Sequence, residues 1–168
     1  PAQYMCALIT CEHDRDKLAQ YVEEARRLGL AVALPDINRS EEGFTVGDGN
    51  TIRFGLGAIK GIGKNVVQEV LEARRRGPFA NVFDFCERVN LGLVTRSALE
   101  TLVKCGAFDA FGTRAAHLQV LQQAVEHGQR ARKQQANGQA CLFAQAGLVA
   151  PQLPQLPELS DKQLLAYE

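Results

Sequence analysis

Residues 52–76 read IRFGLGAIKGIGKNVVQEVLEARRR. Gly61-Ile62-Gly63 stands between a short apolar run, Leu56 to Ile59, and a stretch in which Val66, Val67, Val70 and Leu71 recur at helical spacing. Arg74-Arg75-Arg76-Gly77-Pro78 then stops that helix. The pattern predicts helical turn, glycine hairpin, helix. Glycine permits φ > 0 and lets an anion approach the backbone with no Cβ in the way. The first N–H groups of the following helix have no intrahelical partner and lie at its positive dipole end, where a phosphate oxygen fits. Lys60 and Lys64 flank the hairpin, and Asn65 adds a donor. The candidate phosphate-binding set is therefore Lys60, Gly61, Ile62, Gly63, Lys64 and Asn65. Contacts of this kind carry no base information, so the expected partner is duplex DNA held without sequence specificity. The plainer reading is a tight turn that only starts a helix.

Charge distribution favours the first reading. The chain has 168 residues with 19 Lys+Arg and 19 Asp+Glu, but the balance is uneven along it. Residues 51–78 hold 6 basic and 2 acidic side chains, and residues 113–133 hold 4 and 1. Local positive stretches matter more to a polyanion than a zero total does. With 46% hydrophobic and 23% charged residues, the composition is that of a globular protein rather than a disordered or fibrous one. No apolar run approaches the roughly 20 residues of a membrane span, and the N-terminal residues do not read as a secretory signal. No membrane partner is expected. The five cysteines are an odd number without CxxC spacing, which argues against a disulfide scaffold or a structural zinc and for reduced thiols in the cytoplasm.

Working outward, residues 14–28 read as an amphipathic helix closed by Gly29, and Leu30–Leu34 as a strand or extended connection ending at Pro35. Phe44–Val46 and Thr51–Phe54 flank Gly47-Asp48-Gly49-Asn50 as a β-hairpin. Further helices are expected over 64–76, 82–89 with Asn81 as cap, 96–105 with Thr95 or Ser97 as cap, and 114–133, where Gly128 is a weak point. The stretch 83–106, FDFCERVNLGLVTRSALETLVKCG, repeats the helix–loop–helix unit without paired glycines. Its second loop is expected to serve packing, with Arg96 as a further phosphate contact. Beyond a Gln-rich polar connector, residues 144–157 read as a Pro-rich extended linker, and Ser160-Asp161-Lys162-Gln163 as a capping box opening another helix. The fold class is thus mainly α with a small β-hairpin (α+β), and the chain reads as a piece of a longer protein.

The stretches YMCALIT (Tyr4–Thr10), YVEEARRLGL (Tyr21–Leu30), LPDIN (Leu34–Asn38), IRFGLGAIKGIG (Ile52–Gly63), FDFCERV (Phe83–Val89) and LVKCGAFDAFG (Leu102–Gly112) occur in order over most of the chain. Together they resemble the family-C bacterial replicative polymerases, the alpha subunits of DNA polymerase III. The resemblance implies four parts: residues 1–40 as the C-terminal end of a fingers domain, 41–112 as a tandem helix-hairpin-helix DNA-binding domain, 113–143 as a helix leading to a clamp-binding peptide, and 144–168 as a linker with the start of the next helix. It places an internal sliding-clamp motif at Gln139-Ala140-Cys141-Leu142-Phe143, with Gln139, Leu142 and Phe143 as the contacting residues. Ala140 and Cys141 depart from the family's preferred pattern. An extended peptide of this kind docks two apolar side chains into a pocket. The parent protein would be a cytoplasmic DNA-directed DNA polymerase, a nucleotidyltransferase using Mg2+, with the sliding clamp (beta subunit) and other replisome subunits as partners. This segment would carry no catalytic residues, no cofactor and no metal. The same region of an error-prone translesion family-C polymerase is one alternative. A helix-hairpin-helix protein-interaction module that does not bind DNA is the other.

Three weaker groupings do not rise above structural roles. Asp14 and Asp16 suit the first turn of a helix better than a two-metal site, which needs further carboxylates. Cys11, Glu12 and His13 lack metal-ligand spacing. His117 and His127 are expected to be solvated on a long helix.

Overall fold

Gly47-Asp48-Gly49-Asn50 reverses the chain with Gly49 at φ +64° and Asn50 at φ +60°. Strands β2 (Thr45–Gly47) and β3 (Thr51–Arg53) thereby pair antiparallel, Val46 opposite Ile52. The apolar run after Gly29 supplies β1 (Ala31–Ala33), which lies parallel to β3 and completes a sheet of order β1-β3-β2. These elements belong to a computed structural model that describes residues 2–12, 14–136 and 151–167. Two helices cover the sheet. In α1 (Ala2–Cys11), Ala2, Met5, Cys6 and Ile9 form a buried stripe. The sequence reading leaves this helix unassigned, although the stripe has helical spacing. In α2 (Arg15–Arg27) the Asp14 carboxylate caps the first turn, accepting from the N–H groups of Asp16 at 2.9 Å and Lys17 at 3.3 Å. The α1 stripe, Ala25, Leu30, Phe44 and Ile52 make the first apolar core.

A second core gathers the rest. A 3-10 turn at Leu56–Ala58 leads through the glycine hairpin into α3 (Lys64–Arg74). Then follow α4 (Val82–Arg88), α5 (Arg96–Lys104), a 3-10 turn at Asp109–Phe111 and α6 (Arg114–Ala136). Asn81 and Thr95 cap α4 and α5 through their side chains, as their residue types predict. Val67, Val70, Phe85, Leu99, Leu102 and Phe108 fill the interior. Phe85 meets Phe79 and Phe108 edge-on at 4.9 and 5.2 Å between ring centroids, the geometry that aromatic quadrupoles favour.

The two cores are joined through residues 36–40. Ile37 is fully buried in the second core, and its N–H donates to the Ala107 carbonyl at 2.9 Å. The Asn38 amide bonds the backbone of Phe79 twice, donating to its carbonyl at 2.9 Å and accepting from its N–H at 2.8 Å. Ser40 is buried and donates to the Phe54 carbonyl at 2.7 Å. The Arg74 guanidinium closes the joint, donating to the carbonyl of Ser40 and the carboxylate of Glu41, both at 2.7 Å.

Gly128 proves to be a contact point rather than a weak point. Helix α6 lies so close to α4 there that a Cβ would fall 2.2 Å from the Cys86 carbonyl oxygen. His117 is likewise placed differently from expectation: it is completely buried, its Nδ1 bonded to the Thr113 carbonyl at 2.8 Å and its Nε2 without a partner among the described residues. Its apolar neighbours on α6 and the Phe108 ring draw it inward. Residues 151–159 are extended, as Pro151, Pro154 and Pro157 require, and they dock. Leu153 packs on the second core, and the Thr113 hydroxyl donates to the Leu156 carbonyl at 3.1 Å. At the start of α7 (Asp161–Tyr167) half of the anticipated capping box forms: Gln163 Oε1 accepts from the Ser160 N–H at 3.2 Å, while the Ser160 hydroxyl also donates to it at 3.0 Å instead of taking the Gln163 N–H.

Two outcomes follow from this packing. Gly128→Ala is expected to destabilise the fold by about 2–3 kcal/mol, because backbone rather than a movable side chain obstructs the methyl group; urea unfolding measures it. Burial holds His117 below its ordinary pKa, so the folded state favours the neutral ring. That contribution is present above the unfolded value of about 6.5 and is lost as pH falls below it. Thermal melts between pH 7.5 and 5.5 are expected to show a steeper fall for the native protein than for His117→Gln.

Candidate nucleic-acid interface

The approach to the first hairpin is fixed by backbone. The N–H groups of Leu56 and Gly57 donate to the carbonyls of Glu41 and Glu42 at 2.8 and 2.9 Å. Gly55 packs so tightly on Gly43 that a Cβ would lie 2.4 Å from the Gly43 carbonyl carbon. The chain then turns over Ile59-Lys60-Gly61-Ile62, closed by the Ile62 N–H on the Ile59 carbonyl at 3.2 Å. Gly61 occupies the third position at φ +86°, the conformation a type II turn reserves for glycine. Ile62 points inward and anchors the turn in the second core.

Gly63 is different. It is the N-cap of α3 with ordinary extended backbone, φ −80° and ψ 159°, and no side chain to cap the helix. A Cβ built there would meet nothing within 4 Å. The protein's own packing therefore does not demand glycine at this position. The carbonyl of Gly63 starts the helix by accepting from Val66 and Val67. Among the described residues, no acceptor takes the N–H groups of Gly61, Gly63, Lys64 or Asn65. Lys60, Lys64 and Asn65 are exposed, and neither lysine is in an ion pair with a described residue. Unpaired amides at a positive helix end, flanked by two free cations, form an electropositive notch with room for an anion.

The second hairpin, residues 90–95 between α4 and α5, ties down most of its loop amides, whereas the Arg96 and Ser97 N–H groups that start α5 have no acceptor among the described residues. The Asn90 carbonyl accepts from Leu93 at 2.9 Å and Val94 at 2.8 Å, and its side-chain oxygen accepts from the Gly92 N–H at 3.0 Å. The Asn90 N–H itself donates to the Glu69 carboxylate at 2.7 Å, and Arg132 of α6 donates to the Asn90 side chain at 2.8 Å. Arg96 is exposed at the start of α5, with its guanidinium donating to Gln122 at 2.7 Å. Glu69, Asn90 and Arg132 are residues that sequence reading does not find, since they lie 21 and 42 positions apart. The two hairpins are thus alike in topology and unlike in what they offer a ligand.

The basic stretches divide in the same way. Of the six cations in residues 51–78, Lys60 and Lys64 flank the notch, Arg74 belongs to the joint, and Arg75 pairs with Glu72 at 2.7 Å. A groove of about 280 Å3 lies around Arg74 and Arg75, and the pairing of both arginines leaves no free charge pair for chemistry. In residues 113–133, Arg114 is buried against Asp109 at 3.0 Å and Arg130 faces Glu126 at 3.7 Å. Burial pushes the thiols of Cys86 and Cys105 up to about 12 and about 11, which removes both as nucleophiles near neutral pH. Among the described residues, no three His, Cys, Asp or Glu side chains are grouped to hold a metal ion. No helix among the described residues is long and apolar enough to cross a membrane. Gln139, Leu142 and Phe143 lie outside the described residues.

Residues 29–118 match the family model described as the helix-hairpin-helix motif. The chain belongs to that family. The helix-hairpin-helix region so defined contains both hairpins and the whole of α3, α4 and α5. The full chain is also similar to DNA polymerase III subunit alpha of Thermus aquaticus, 41% identical over 170 residues, and of Deinococcus radiodurans, 41% identical over 175 residues. The corresponding subunit of Vibrio cholerae is 36% identical over 175 residues. In each case all of this chain is covered, and it spans 13–15% of the relative's length.

Gly63 separates a phosphate notch from a mere turn. Gly63→Asp is expected to keep or slightly raise thermal stability, by a few tenths of a kcal/mol, because aspartate is at least as good an N-cap as glycine. The same change places a carboxylate where an anion would sit, and duplex DNA affinity is expected to fall about tenfold or more, the worth of one charge-assisted hydrogen bond. Fluorescence anisotropy beside differential scanning calorimetry reads both quantities.

Proposed function

We propose that this helix-hairpin-helix unit holds duplex DNA by its backbone phosphates, without reading sequence, as part of a replicative DNA polymerase. The observation that carries the reading is the unpaired N–H set of Gly61, Gly63, Lys64 and Asn65 between two free lysines. Gly63 supports it further, because its missing side chain benefits nothing inside the protein. Arg96 is a secondary contact in this reading, reaching a phosphate by exchanging its Gln122 partner. The relatives' name, DNA polymerase III subunit alpha, supports assigning the parent chain to template-directed nucleotidyl transfer in the bacterial cytoplasm. The catalytic carboxylates and their Mg2+ would lie outside this segment, and contacts with other replisome subunits would run through the parent chain.

The second half of the proposal is tethering. Gln139, Leu142 and Phe143 would dock on the sliding clamp, with the two apolar side chains as anchors. A DNA grip and a clamp peptide on one chain each raise the effective concentration of the other's ligand, so two modest contacts give long residence on a primed template.

Titration of the protein with a primed duplex at two salt concentrations tests the grip. Affinity is expected to fall with salt by about 0.9 log units per neutralised phosphate per log unit of salt, equally for unrelated sequences. Binding that is insensitive to salt would point to apolar docking on protein instead. Leu142→Ala with Phe143→Ala is expected to abolish clamp binding in surface plasmon resonance and leave DNA affinity unchanged.

A further inference from the structure

The first hairpin has a mechanical problem that the second does not share. Amides left open for an anion do nothing to hold the loop that carries them. Its turn is closed by the Ile62 N–H on the Ile59 carbonyl, and Ile62 anchors in the second core. In the second hairpin the Asn90 carbonyl and side chain take the N–H groups of Gly92, Leu93 and Val94, so that loop is braced from within. The first has to be braced from outside.

Its brace is the stretch Ser40–Gly43. Just before the turn, the carbonyls of Glu41 and Glu42 take the N–H groups of Leu56 and Gly57. Gly57 makes the approach possible, since a Cβ there would lie 2.9 Å from the Glu42 carbonyl oxygen and 3.5 Å from Glu42 Cγ. Helix α3 grips the same stretch from its other side. Arg74 donates to the Ser40 carbonyl and the Glu41 carboxylate, and Gln68 donates to the Glu42 carboxylate at 3.0 Å. The circuit is closed: α3 starts at the notch, and from its second and last turns it reaches back to the segment that holds the notch's other side. The spacing between Lys60-Gly61 and Gly63–Asn65 is thus set by α3 itself.

We propose that Glu42, with Gln68 as its partner, is a positioning residue of the phosphate notch, an acidic side chain that strengthens the hold on a polyanion. This rests on the DNA-holding reading above. On charge alone a carboxylate in this region opposes DNA, and its removal would tighten binding. Through the brace, the same removal loosens the segment that holds Gly57, and the open amides lose their alignment. The two effects have opposite signs, and affinity tells them apart.

The test uses the full-length polymerase and a fluorescent primed duplex, without clamp. Anisotropy gives affinity, and amide hydrogen exchange at Leu56 and Gly57 reports whether the brace is closed. Glu42→Ala is expected to accelerate that exchange and to weaken DNA binding about threefold, the worth of a hydrogen bond lost in part. Gln68→Ala is expected to do the same, and the two changes together no more than either alone. Glu42→Gln keeps an acceptor for Gln68 and drops the charge, so it is expected to bind DNA at least as tightly as the native protein. Unchanged or tighter binding by Glu42→Ala would overturn the proposal at any exchange rate. A Glu42→Gln variant as weak as Glu42→Ala would overturn it too. Lys60→Ala with Lys64→Ala keeps the two readings apart. If that variant retains full affinity, the notch reading itself fails. If it loses affinity while Glu42→Ala and Gln68→Ala do not, only the positioning role fails.

Discussion

The arrangement of the whole chain depends on one side chain behaving as backbone. Asn38 presents a donor and an acceptor on a single amide, and Phe79 meets them with its own carbonyl and N–H. The pair reproduces what a neighbouring strand would offer, where no strand is present. Among uncharged side chains of this length only asparagine supplies both groups. An aspartate would set a carboxylate against the Phe79 carbonyl. Ile37 beside it is committed to the second core, while β1 just before it is committed to the sheet over the first. The segment therefore cannot shift without disturbing both cores, and the hairpin that follows inherits its position from residues 41–43.

A site made this way needs little dedicated chemistry. Several arginines are engaged in holding the chain together: Arg74 at the joint, Arg88 over the Phe79 ring, Arg114 under Asp109, Arg132 on the second hairpin. What the first hairpin offers a ligand is backbone N–H, two lysines and empty space. Preorganised amides have the advantage of requiring no side-chain ordering when an anion arrives. The second hairpin shows the opposite use of one motif. With its amides closed on Asn90, it acts as a strut between α3 and α6.

Much of this was legible in the sequence, and the reasons differ by element. Local signals succeeded: Asp14, Asn81 and Thr95 cap the helices they precede, and Gly61 takes the left-handed turn its neighbours require. The parallel partner of the hairpin is not legible because Ala31–Ala33 is too short and too apolar to distinguish a strand from a connection. His117 and Gly128 were misjudged because helix periodicity says which face is apolar but not how close the neighbouring helix comes. At Gly128 the closeness is the whole point, and only the Cys86 carbonyl reveals it. The docking of residues 151–159 was invisible for a related reason. Prolines specify an extended chain, and extension is equally compatible with a free linker and with one laid against a helix end.

The docking of residues 151–159 at the start of α6 also bears on the order in which the chain becomes a finished object. Synthesis proceeds from the N-terminus, and domains acquire structure in that direction. The hairpin and α3 leave the ribosome before the helices that enclose them. In the first turn of α6 the Thr113 hydroxyl takes only the Ala116 N–H, and those of Arg114 and Ala115 stay open until Glu158 follows, 44 residues after Arg114. Over that interval the long helix is held by α4, α5 and the loops carrying Asn90, Phe108 and Asp109, and its start is the part most exposed to fraying. The docking of Leu153, Leu156 and Glu158 ends this period by closing the start of α6.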